Sequence, residues 1–138
     1  LENNFESLAD FNINIIKSIC NKIGVYTKFI LSSTLDVFEK KDKRLVKICN
    51  KLKSKKYISP LGSAAYIELN NQGGAFLDSG INLFYQNFVH PTYNQINKSF
   101  KSHLSIIDLL FNEGFEKSLH IIKLGRRPLL KSTELKQL

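Results

Sequence analysis

The stretch FVHPTYNQ, residues 88–95, sets a histidine, a tyrosine and a glutamine around a proline, directly after the apolar run INLFYQNF. A neutral imidazole at His90 transfers protons near pH 7. Tyr93 offers a ring platform or a hydroxyl donor, and Gln95 an amide that both donates and accepts. Pro91 biases His90 toward extended backbone and fixes the chain after it. Tyr93 and Gln95 alternate in an extended segment and so project to one side. That arrangement reads either as a set of ligand-facing groups or as a rigid strand-exit turn whose polar groups bond the backbone.

Further along, Asp108 could act as a general base or orient His90. The spacing Ser105-x-x-Asp108 equally forms a capping box, in which Asp108 accepts from the Ser105 N–H. Asn112 lies one helical turn beyond Asp108 on the same face. Upstream, YISPLGSAAY (57–66) carries Ser59, Ser63 and Tyr66 between a strand and a helix. Free N–H groups at a helix start can hold a phosphate or carboxylate. Pro60 removes one donor, however, and the G-x-x-x-x-G-K-[ST] spacing of a P-loop is absent. The candidate set is therefore His90 and Asp108 for catalysis, with Ser59, Ser63, Tyr66, Tyr93, Gln95 and Asn112 for substrate. His90, His103 and His120 are too dispersed for metal-ligand spacing, and neither CxxC nor HxxxH occurs, so no metal or cofactor is expected. His120 is expected at the surface of the last helix.

Periodicity supplies the elements that must position these groups. SLADFNINIIKSICNKIG (7–24) reads as a first helix with Gly24 as its stop. KFILSS (28–33) fits a short buried strand. A basic helix follows from about Asp42 to Lys53, with Leu45, Ile48, Cys49 and Leu52 as its apolar stripe. KYISP (56–60) is the next strand, SAAYIEL (63–69) a short helix, AFLDSG (75–80) a helical turn and INLFYQ (81–86) a third strand. HLSIIDLLFNEGF (103–115) is a helix started at Ser105 and stopped at Gly114. EKSLHIIKLG (116–125) is the last helix, before a basic tail, 126–138, expected to fray. The alternation predicts one α/β domain over residues 1–138. Its sheet is mostly parallel, of three or four strands covered by helices, like half of a Rossmann fold. Such sheets bind ligands at the carboxyl ends of their strands, where the 59–63 and 87–97 loops emerge.

The chain of 138 residues is 43% hydrophobic, enough for one core. No apolar run approaches the roughly 20 residues of a membrane span. Cys20 and Cys49 fall in helical apolar patterns and read as buried free thiols, which suits a reducing cytoplasm. The net charge of +8 is concentrated in EKKDKRLVKICNKLKSKK (39–56). Nucleic-acid binding there is disfavoured, because no aromatic residue interleaves the lysines. The chain starts at Leu1 and contains no Met, which is expected of a piece of a longer protein or of a processed chain.

From the basic helix onward the chain resembles the WbqC-like family. The resemblance is carried by LVKICNKLKSKKYISPLGSAAYI (45–67), the Gly80-Ile81 strand entry, YQNFVHPTYNQ (85–95) and SFKSHLSIIDLLFNEG (99–114). It implies a bacterial protein of surface-polysaccharide, O-antigen production, with an acyl or aminoacyl (glycine) transferase role on a nucleotide-activated sugar. It also implies that this chain corresponds to the family's C-terminal half. A partner N-terminal half and self-association through an exposed apolar face would then be expected. The alternative is a non-catalytic α/β scaffold that binds a sugar nucleotide or a partner enzyme.

Overall fold

A computed structural model describes residues 5–96 and 99–135. Asn97 of the expected loop and residues 136–138 of the expected frayed tail lie outside the described residues. The chain divides into two compact units, one formed by 1–28 with 90–125, the other by 29–89 with 126–138.

The second unit holds the sheet and the main core. β1 (Lys56–Pro60) and β2 (Asn82–Gln86) pair in parallel, with Lys56 opposite Asn82 and Pro60 opposite Gln86. Parallel neighbours need a crossover. It consists of residues 61–81, which contain two short helices, α3 (Ala64–Ile67) and α4 (Gly74–Asp78). α2 (Lys41–Lys51) precedes the sheet. Its Asp42 Oδ2 accepts from the Ala75 N–H at 2.9 Å and so ties α2 to α4. Val46 and Cys49 of α2 pack with Ala64, Ile67, Phe76, Ile81, Leu83 and Tyr85 in one apolar cluster. The lysines of α2 occupy its other faces, as its period required.

Two expectations are corrected here. Residues 28–31 join no ladder and continue into a 3₁₀ turn, Ser32–Leu35, whose Thr34 hydroxyl donates to the Leu31 carbonyl. Phe29, Ile30 and Leu31 are each more than 40% exposed, so their apolar character did not secure a sheet position. The third strand is instead β3 (Leu130–Lys131), antiparallel to β2, from the segment expected to fray. The fold is therefore mixed α/β with an open three-stranded sheet, one pair parallel and one antiparallel. The tail is anchored further by the Arg127 N–H donating to the Asn87 carbonyl at 3.0 Å.

The first unit contains α1 (Leu8–Lys22) and α5 (Ile106–Leu124). Ser7 caps α1 by accepting from the Asp10 N–H at 3.1 Å. Cys20 on α1 is half-buried, whereas Cys49 is buried, and both are free thiols. α5 is two helices joined at Gly114, which takes φ 76° and ψ 172°. That conformation is open essentially to glycine alone. The break expected from the Gly114 stop is thus present inside one continuous run.

Candidate functional site

The strand-exit loop and the start of α5 meet in the first unit. Tyr93 donates its hydroxyl proton to Asp108 Oδ2 at 2.7 Å, and Gln95 Nε2 donates to the same oxygen at 3.0 Å. Gln95 also spans its own loop. Nε2 donates to the Lys101 carbonyl at 2.9 Å, and Oε1 accepts from the Lys101 N–H at 2.8 Å. Its amide therefore ties the Lys101 backbone and Asp108 to one side chain.

Asp108 occupies the first turn of α5, where the helix dipole favours a negative charge. Its carboxylate faces the loop. The Ser105 cap is closed differently from the expected capping box: Ser105 Oγ accepts from the Ile107 N–H at 3.3 Å. The Asp108 N–H donates to the Ser105 carbonyl at 3.0 Å. Tyr93 and Gln95 offer Asp108 two side-chain donors, a better set for a carboxylate than one backbone N–H. Burial, with the Asp108 carboxylate beside it, pushes the Tyr93 phenol above its ordinary range.

His90 packs into an aromatic corner beside this network. Its ring centroid lies 6.2 Å from Tyr93, 5.9 Å from Phe100 and 5.0 Å from His103. Tyr93 and Phe100 meet edge to face at 5.3 Å. His90 Nδ1 lies 3.0 Å from the Pro91 carbonyl. A carbonyl only accepts, so Nδ1 is the donor in this contact.

Asn112 stands apart from this chemistry, since its Nδ2 donates to the Asp108 backbone carbonyl at 2.8 Å. Glu113 was not among the candidates, yet its Oε1 accepts from the Asn94 N–H at 2.9 Å and pins the loop between Tyr93 and Gln95. Its position five residues after Asp108, just before a helix-breaking glycine, was the available signal. His120 is exposed, as expected. Among the described residues, no group of three or more His, Cys, Asp or Glu side chains is placed to hold a metal ion.

The remaining candidates belong to the second unit. Ser59 is buried on β1 and shares a hydrogen bond with the Ser63 hydroxyl at 2.6 Å, while Ser63 Oγ donates to the Pro60 carbonyl. These hydroxyls close the turn from strand to helix. Tyr66 is 54% exposed on α3. Because Pro60 and Gln86 are registered partners, the first residues after β1 and β2 leave the sheet side by side. The same unit contains a polar network that sequence reasoning missed. Glu68 accepts from Tyr85 Oη at 2.5 Å and Ser132 Oγ at 2.8 Å on Oε1, and from the Gly73 N–H at 2.6 Å on Oε2. Burial and the Glu68 carboxylate raise the Tyr85 phenol strongly.

The WbqC-like protein family model matches residues 1–120. The chain belongs to the WbqC-like family. The match begins at residue 1, so the family pattern includes the first 44 residues, where no resemblance was legible. This WbqC-like chain is also similar to an uncharacterized protein of Mycobacterium tuberculosis, Rv1507c, at 26% identity over 117 residues. The alignment covers 84% of the WbqC-like chain and 49% of the relative, so the chain spans about half the length of the curated relative it matches. No solved structure matches it. No helix among the described residues of the WbqC-like chain is long and apolar enough to cross a membrane.

Proposed function

We propose that this WbqC-like chain serves bacterial surface-polysaccharide (O-antigen) biosynthesis, transferring an acyl or aminoacyl group to a nucleotide-activated sugar. The observation that carries the reading is the convergence of Tyr93 and Gln95 on Asp108 Oδ2 beside a His90 ring whose Nδ1 is held by a carbonyl. In this role His90 Nε2 takes the proton from the attacking sugar hydroxyl or amine. The Asp108–Tyr93 pair sets the loop that carries His90.

The test uses the whole protein that contains this chain. It is assayed with nucleotide sugars and activated acyl or glycyl donors, with product read by mass spectrometry. Transfer should fall by about 100-fold or more in His90→Ala, the ordinary contribution of a general base. Full activity in His90→Ala, in a protein of unchanged stability, would reduce FVHPTYNQ to a turn. Binding of a nucleotide sugar without any transfer would favour the scaffold reading.

A further inference from the structure

His103 had no place in the site deduced from sequence, yet its ring packs against that of His90. The two centroids are 5.0 Å apart and the planes are inclined by 40°. Each Nδ1 is engaged locally, His90 with the Pro91 carbonyl at 3.0 Å and His103 with Ser102 Oγ at 2.9 Å. His103 holds φ at 61°, a left-handed conformation that costs energy in a residue with a β-carbon. Such strain persists only where the surroundings impose it, and it gathers at functional sites. His90 is half-buried and His103 exposed.

We propose that His103 is the second proton-transfer group of the site, paired with His90 so that one imidazole accepts a proton while the other supplies one. The chemistry rests on the transferase reading; the pairing does not. Two imidazolium charges this close would repel each other. Acyl transfer needs a base and an acid together, and two adjacent imidazoles can supply both. As the sugar hydroxyl or amine attacks the acyl carbon, its proton passes to His90 Nε2. The bond from the acyl carbon to the donor's leaving atom breaks, and that atom takes the proton of the His103 imidazolium. His103 lies at the solvent side and regains a proton from water, while His90 returns its own. The other titratable groups of this corner are Tyr93 and Asp108, joined to each other, Glu113, bonded to the Asn94 N–H, and Lys101, whose backbone is clipped by Gln95.

The experiment follows each imidazole by proton–nitrogen NMR in this chain as pH is varied over about 5 to 8, the range in which histidine changes charge. His103→Asn is the variant of choice, because Asn tolerates the left-handed backbone. The His90 titration should move to higher pH once the like-charged neighbour is gone. Reciprocity requires His90→Asn to move the His103 titration in the same sense, which keeps the test decisive if one variant fails to fold. Superimposable curves in the folded variants would overturn the pairing. Mutual shifts in a protein that transfers nothing would keep the pair and end the transferase reading. Transfer by a protein with superimposable curves would do the reverse.

Discussion

Tyr93 Oη stands 2.7 Å from Asp108 Oδ2, and this one bond fastens an extended loop to the first turn of a helix 15 residues later. The phenol donates to a charged acceptor, the stronger kind of protein hydrogen bond. Removing the hydroxyl with Tyr93→Phe should destabilise the chain by about 1.5–3 kcal/mol, read from the midpoint of urea unfolding at unchanged slope. Asp108→Ala, which removes the acceptor, should cost at least as much, because Gln95 Nε2 loses it too. The double variant should cost clearly less than the sum, because both changes remove the same bond. Additive losses would show that Tyr93 and Asp108 act separately.

Ser105 offers a local test that leaves the cluster untouched. Its Oγ accepts from the Ile107 N–H at 3.3 Å. Ser105→Ala should cost about 0.5–2 kcal/mol, as for other N-caps. Ser105→Asp should recover most of the loss, since Asp also caps well. Thermal unfolding unchanged in the alanine variant would count against the cap.

Tyr85 should give the sheet-bearing unit a dependence on alkaline pH. Its phenol is raised by burial and by the Glu68 carboxylate that accepts from it. The folded value lies above the unfolded one of about 10. The stabilisation is therefore complete below pH 10 and is lost as pH rises beyond it toward the folded value. Unfolding free energy should fall in that range. Tyr85→Phe should be less stable at neutral pH and should show a shallower alkaline decline. Parallel alkaline curves for the two proteins would contradict this assignment.

Two glycines should respond differently to alanine. At Gly114 the added methyl meets no atom within 4 Å, so only the backbone at φ 76° resists, at about 1–3 kcal/mol. At Gly74 the methyl would lie 2.8 Å from Asp42 Oδ2 and 2.9 Å from the Ile67 carbonyl, at φ 49°. Gly74→Ala adds a collision with backbone to the conformational cost and should be the more damaging change. Equal midpoints for the two variants would sink the comparison.

Several features of this chain were decided locally. The helix over α1 follows from Ser7 at its start, an apolar stripe and Gly24, which takes φ 83°. The strands at 56–60 and 82–86, the capping role of Ser105 and the break at Gly114 likewise follow from short-range preferences. The residues that carry the family resemblance were legible for the same reason: they are contiguous runs. What the sequence left open were choices between competing partners. KFILSS has the composition of a strand, but residues 28–31 join no ladder, and the strand beside β2 comes instead from Leu130–Lys131. Asp108 has the spacing to cap its own helix, but the loop brings it two side-chain donors instead. Glu68, Tyr85 and Ser132 lie up to 64 residues apart, and His103 stands beside His90 although they are separated in the chain. Pattern and propensity act over one helical turn or one strand. Which polar group satisfies which, and which imidazole stands beside another, depends on distances that only the folded chain sets.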